Sequence, residues 1–384
     1  MRYKLSDLFE LQMGKTPSRN NPNYWNSNDY SWVSISDMSS YDKYVSGTKE
    51  YISERAVKES GIKTIPANTV IMSFKLSIGK TAITTGPIFS NEAIMAFIDK
   101  KTTAIDPEYI FYLFSGKDWD EGSNKAVMGK TLNKATLSNI EVDIPSLDIQ
   151  KERIEKLNKI SILISDKKQQ LNQLDKLIKA RFVEMFSESK CGTKKLNEIT
   201  DIITKGTTPT TAGFEFTDSG INFFKIESIT EDHTINLNKV AHVSEECHKA
   251  LRRSQLREGD VLFSIAGAIG RTAIISKGDL PGNNNQALAI IRLSNDSGIS
   301  QKYLISALDS PEVFEQCRTK KRGVAQINLS LQDVGNIEIP IPSPMEQKTF
   351  ELFAKQIDKS KFAVQKSLEK TQLLFDSLMQ EYFD

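Results

Sequence analysis

The amino-acid sequence predicts an α+β protein. Its plan is two similar mixed α/β domains, related by an internal pseudo-two-fold repeat and separated by two long helices that form an antiparallel coiled coil. Two observations carry this prediction. Motifs of the first half return in the same order in the second, and each half closes on a long stretch (150–188 and 347–383) with neither proline nor glycine. The division that follows is a first domain at 1–146, a central helix at 147–188, a second domain at 189–342 and a C-terminal helix at 343–384.

The repeat starts at the first residues. Leu5-Ser6-Asp7-Leu8 followed by Gly14-Lys15-Thr16-Pro17 recurs as Leu196-Asn197-Glu198-Ile199 followed by Gly206-Thr207-Thr208-Pro209. The runs 67–73 and 78–83 return at 258–264 and 269–274, with Ile78-Gly79-Lys80-Thr81 answering to Ile269-Gly270-Arg271-Thr272. Asn91-Glu92-Ala93-Ile94 matches Asn285-Gln286-Ala287-Leu288, and Asn139-Ile140-Glu141 matches Asn336-Ile337-Glu338. The offset drifts only from 191 residues at Gly79 to 197 at Asn139, which small loop insertions explain. Within each domain, β-branched runs such as 69–74 and 261–265, bounded by Gly, Pro and Asn, read as strands. A strand ending in proline (140–145 and 337–342) precedes each long stretch.

Those stretches carry helical periodicity. Leu157, Ile160, Ile164, Leu171, Leu174 and Ile178 fall at three-four spacing, as do Ile357, Val364, Leu368, Phe375 and Leu378. Such a pattern predicts a coiled-coil seam, in which Lys167, Arg181, Lys361 and Thr371 are polar intrusions that leave faces open to other partners. The alternative is two surface helices, each packed on its own domain. A helix of about 38 residues is roughly 57 Å long.

Composition describes an ordinary globular chain of 384 residues, 39% apolar and 26% charged. No secretory signal or membrane span is read from the sequence, and the three cysteines form no disulfide framework, so a cytoplasmic protein is expected. The net charge of +1 argues against a uniformly basic surface, so any nucleic-acid contact must come from local patches. No P-loop is present, and no glycine-rich cofactor loop precedes a helix. Asn21-Pro22-Asn23-Tyr24 approaches the Asn-Pro-Pro-Tyr motif of adenine methyltransferases but lacks its second proline, and reads as a turn. His233, His242, Cys247 and His248 match no zinc spacing. The sequence therefore offers no metal site, no cofactor site and no catalytic residue.

Gly14-Lys15-Thr16-Pro17-Ser18, Asn21–Trp25 and Trp32-Val33-Ser34-Ile35 look like the opening of a target recognition domain, as do Gly206–Pro209 with 221–226. With the run 259–264 and the Ile-Pro ending before each helix, the chain resembles the specificity subunits of Type I restriction–modification systems. The resemblance spans nearly all of it. It implies that each target recognition domain reads one half of a bipartite sequence on double-stranded DNA. The helices would act as a ruler between the halves and dock two modification subunits, which are adenine-N6 methyltransferases. Restriction subunits would complete the complex, and S-adenosylmethionine, ATP and Mg would belong to these partners alone. Weak likeness between the halves implies an asymmetric target. An alternative is the recognition portion of a fused restriction–methylation enzyme.

Cations before the second Ile-Pro strand are the first candidates for phosphate contact: Arg318, Lys320, Lys321 and Arg322, with Lys125, Lys130 and Lys134 at the matching place in the first half. Lys15, Lys205, Thr207, Arg252 and Arg253 are further candidates. Base edges call for long polar side chains on loops. Arg19, Asn20 and Asn21 after the first Gly-Lys-Thr-Pro turn, Lys75, Lys80 and Arg271 at the glycine-bearing loops, and Asn284 and Asn285 in an amide run meet that description.

Overall fold

The computed structural model describes residues 1–75, 77–119, 132–186, 191–319 and 328–383. The chain divides into two compact units, one formed by Met1–Lys167 with Ser367–Asp384 and the other by Lys168–Lys366. The division cuts across both long helices, Leu147–Phe186 and Pro344–Phe383, so each unit takes the beginning of one helix and the end of the other.

Each unit holds the same three sheets. In the first, a four-stranded antiparallel sheet runs in the order Phe9–Met13, Ile94–Asp99, Val70–Ser73, Thr81–Ile83. In the second, Thr200–Lys205, Leu288–Leu293, Val261–Ser264 and Thr272–Ile274 repeat that order. A three-stranded sheet places Tyr30–Val33 between antiparallel Glu50–Ile52 and parallel Phe89–Ser90. Its counterpart places Ile221–Phe224 between Ala241–Val243 and Gly282–Asn284. A third, two-stranded sheet ties the start of each module to its end: Arg2–Lys4 pairs with Glu141–Asp143, and Thr193–Lys195 with Glu338–Pro340.

The unbroken apolar runs are explained by burial on both faces of the four-stranded sheets. Val70 and Met72 face one cluster with Met95, Phe97, Tyr109 and Phe114, while Ile71 turns to another with Ile94 and Ala96. Val261 and Phe263 likewise join Ala289 and Ile291, whereas Leu262 joins Leu288 and Ile290.

Within the units, the helix pairing is antiparallel. In the first unit Arg153 donates to the Tyr382 carbonyl (2.7 Å) and Lys167 to Ser367 Oγ (2.8 Å). In the second, Asp175 pairs with Lys361 (2.7 Å) and Phe182 stacks edge-on with Phe350 (5.5 Å between centroids). Leu157, Ile160 and Ile164 are buried, and the other eight predicted seam residues are half-buried. The polar intrusions correct the expectation that they mark open faces. Lys167 and Lys361 bond across the pair, Arg181 lies over Phe353 (5.9 Å), and Thr371 bonds back to the Ser367 carbonyl. The helices also enter the module cores: Ile154, Leu157, Phe375 and Phe383 in the first unit, Phe182, Phe186 and Phe350 in the second. Seam and domain packing coexist.

Candidate nucleic-acid interface

In each module one edge is built from loops that hold one another in the same way. Strand Phe9–Met13 ends at Gly14, whose backbone passes so close to the opposite loop that an added Cβ would lie 2.3 Å from the Ser90 and Asn91 carbonyl oxygens. At Gly206 the corresponding distance to the Asn284 carbonyl oxygen is 1.7 Å. Only glycine permits this approach. The threonine two residues after each glycine then closes the clasp, Thr16 hydroxyl on the Glu92 carboxylate and Thr208 hydroxyl on the Gln286 side chain. Asn91 and Asn285 each fold their side-chain oxygen onto a backbone N–H two residues on, Ala93 (2.7 Å) and Ala287 (3.2 Å).

The hairpin loop joins the same edge. Phe74 N–H donates to the Ala93 carbonyl (3.0 Å) and Ile265 N–H to that of Ala287 (2.9 Å). Inside the loop, Ser73 Oγ donates to the Ser77 carbonyl and Ser264 Oγ to that of Ala268, both at 2.5 Å. These hydroxyls organise the loop that displays Lys75 and Lys80 in one module and Arg271 in the other, all exposed. Among the described residues of its own unit, neither Lys80 nor Arg271 enters an ion pair. In the second module Asn328 bridges Ala266, bringing the chain after the basic run to this edge.

The other predicted contacts divide. Lys15 and Asn20 are exposed, and Lys205 and Thr207 half-buried; the Lys15 ammonium is held by the Ser60 carbonyl. Arg252 and Arg253 are exposed on the turn Arg252–Ser254, beside strand Thr200–Lys205. Lys134 opens the short helix Lys134–Ser138 and is exposed. Arg318 is exposed and pairs with Glu315 in its own helix (3.2 Å). Lys125, Lys130, Lys320, Lys321 and Arg322 lie outside the described residues.

One expectation needs correction. Asn284 has no solvent exposure; its amide donates to the Asn285 and Leu288 carbonyls (3.1 and 2.7 Å), so it packs the edge from beneath. Asn283, in the same run, is also fully buried and serves Leu251, Ser254 and His248. Arg19 is engaged within the module, forked onto Glu50 and lying 3.8 Å from the centroid of Trp25, and its proton is held more tightly through the Glu50 hydrogen bond. Asn21 accepts from Asn23 N–H (3.1 Å) and caps the turn Pro22–Tyr24, the turn read in the sequence.

The histidines and Cys247 go separate ways. His233 Nδ1 shares a hydrogen with Thr272 Oγ1 (2.8 Å), and burial pushes its pKa down. Cys247 is buried among Phe223, Val243 and Leu251. Sequence reasoning missed Lys225, whose ammonium lies 4.5 Å from the Phe216 ring centroid beside this edge. It also missed Gln150 and Gln347, whose only signal was recurrence at the repeat offset. Each is buried near the start of its long helix. Gln150 donates to the Ala104 and Pro145 carbonyls (3.0 Å each), and Gln347 to those of Gly298 (2.8 Å) and Pro342 (3.1 Å).

Two copies of one α/β module, each with a loop-built edge and sharing two long helices, define a duplicated two-module protein. The chain matches the Type I restriction modification DNA specificity domain twice, over residues 1–176 and 188–373, and belongs to that family. It is 30% identical over 187 residues to the Type I restriction enzyme MjaIX specificity subunit of Methanocaldococcus jannaschii, covering 48% of this chain and 43% of that one. With the EcoBI specificity subunit of Escherichia coli it shares 27% over 278 residues, 65% of this chain and 57% of the relative. The matched stretches thus span about half the length of these relatives. A solved chain described under "Structural basis underlying complex assembly and conformational transition of the type I R-M system" aligns with 100% of this chain and 97% of its own, at a TM-score of 0.63 and 17% identity. That likeness speaks to the fold alone. Among the described residues no helix is long and apolar enough to cross a membrane.

Proposed function

We propose that this chain is the non-catalytic DNA-reading subunit of a cytoplasmic Type I restriction–modification complex. Each module reads one half of a bipartite target on double-stranded DNA through its loop-built edge. The observation that carries this reading is the same clasped edge in both modules, presenting different side chains: Lys75, Lys80 and Glu92 in one, Arg271, Lys225 and Gln286 in the other. One scaffold with two surfaces suits two different half-sites, hence an asymmetric target. Arg271 is chemically suited to guanine and Gln286 to adenine. Two adenine-N6 methyltransferase subunits dock on the long helices and supply S-adenosylmethionine chemistry. Restriction subunits bring ATP and Mg.

Cations clustered in the sequence before the second Ile-Pro strand supply affinity without sequence information. Replacing Arg318, Lys320, Lys321 and Arg322 with alanine should weaken binding to all duplexes alike. Each phosphate left without its cation should lower the slope of log K against log salt by about 0.9. Titrations of the assembled complex at several salt concentrations check this. Loss confined to one base position would make these residues readers, and an unchanged slope would remove them from the interface.

A further inference from the structure

Several polar contacts join each module to its long helices, among them Arg153 with Tyr109 (3.4 Å) in the first unit and Lys179 with Asp309 (3.0 Å) in the second, and two further places of attachment differ in kind. The first is common to both. Gln150 and Gln347, near the starts of their helices, tie the helix to the strand-to-helix turn and to the loop before the helix Pro107–Gly116 or Gln301–Leu308.

The second attachment comes from one loop in each module, identified as equivalent by its backbone. Ile83 N–H donates to the Lys43 carbonyl (2.8 Å), as Ile274 N–H donates to that of His233 (3.1 Å). From this loop Lys43 reaches Glu108 (2.9 Å) and the Asn158 side chain on the first long helix. Tyr44 hydroxyl (2.6 Å) and Asn158 amide (2.8 Å) also donate to Glu108, and Tyr112 hydroxyl donates to Asn158 (2.6 Å). In the other module Asp232 on the loop meets Lys361 of the second long helix (3.3 Å), which also holds Asp175 of the first (2.7 Å). The polarity is opposite: the loop carries the cation in one unit and the anion in the other.

We infer that Lys43 with Glu108 and Asn158, and Asp232 with Lys361, are positioning residues that fix the angle of each module on its helices and so set the gap accepted between half-sites. The inference rests on the two-half-site reading above. Apolar packing between module and helix is non-directional. Directional contacts set at a distance from the glutamine restrict rotation about it, and the loop contacts lie farther from it than Arg153 with Tyr109 does in the first unit and act beside Lys179 with Asp309 in the second. From Gln150 to Asn158 the helix rises about 12 Å, and from Gln347 to Lys361 about 21 Å, lever arms long enough to define an angle. A swing that carries the reading edge only about 3.4 Å along the duplex shifts it by one base pair. Because the two attachments share neither residues nor polarity, each module's angle is set independently.

The test is carried out on the full chain co-expressed with its methyltransferase partners, reading methylated adenines on a plasmid library in which the wild-type half-sites are separated by varied gaps. Lys43→Glu and Asp232→Lys each oppose an attachment, and because Asp232 is 78% exposed at its side chain, its substitution should leave the fold intact. Preference for the wild-type gap over gaps one base pair longer or shorter should fall about three- to tenfold, which lies in the lower part of the range for coupled residues. Base preference within each half should not move. The charge-swapped Lys43→Glu/Glu108→Lys chain should regain gap preference. Unchanged gap preference in both single variants overturns the inference, as does a swap that fails to restore it while methylation itself recovers. A wild-type complex that methylates no gapped pair of half-sites would instead overturn the two-half-site reading.

Discussion

At Gly206 an added methyl would overlap the Asn284 carbonyl oxygen at 1.7 Å, and nothing flexible lies in its way to yield. Gly206→Ala should therefore force the Gly-Thr-Thr-Pro loop off the Asn285 turn. Overpacking of this kind costs about 1–3 kcal/mol, measurable as a shift in the urea midpoint of unfolding. Gly213, with nothing near its Cβ position, makes a useful contrast for space alone, although its φ of 82° makes alanine strained there too. The same scale explains how the amide run misleads. Four consecutive amides look solvent-exposed in a sequence, yet Asn283 and Asn284 are in the core because each finds backbone carbonyls to bond. Arg19, exposed on its loop, is steadied by Glu50 and two tryptophans, partners that the sequence did not point to.

Among elements, the helix Pro107–Gly116 couples module to spacer through Glu108 in its first turn. Burial pushes the Glu108 carboxyl upward, but hydrogen bonds from Tyr44, Asn158 and Lys43 outweigh it and hold its pKa below the ordinary range. A carboxyl with a depressed folded pKa contributes stability that is full above its unfolded value, about 4.3, and is lost as pH falls through the folded one. Acid unfolding of Glu108→Gln should accordingly show a shallower loss of stability below about pH 4.3 than the parent chain. An identical acid limb, followed by circular dichroism, would remove Glu108 from the attachment. The strands Val70–Ser73 and Val261–Ser264 and both long helices were legible in the sequence, because two-faced burial leaves continuous apolar runs and a helical seam leaves three-four spacing. The loops bearing Lys43 and Asp232 were not. They share a backbone hydrogen bond but no side-chain pattern, and only the fold aligns them. Gln150 and Gln347 escaped because a glutamine on a helix ordinarily faces water.

For the whole molecule, the duplicated sheet order in the two units is the strongest sign that one polypeptide carries two versions of a single reading device. The long helices belong to both units, and in the reading proposed above their length is the spacer. The clasp of the proposed reading edge could be inferred from repeated motifs, since Gly14 with Asn91 and Gly206 with Asn285 recur for steric reasons that sequence preserves. The side chains on that surface differ between modules, as they must if the half-sites differ.

The spacer claim is tested most directly by inserting one heptad within 160–178 and a matching heptad in the paired segment of the second long helix, then mapping methylated adenines genome-wide. Seven residues add about 10.5 Å of helix, close to three base pairs. The two half-sites should keep their sequences while the gap between them lengthens by about that amount. Methylation at the original gap, with the insertion present and the complex assembled, would contradict the account.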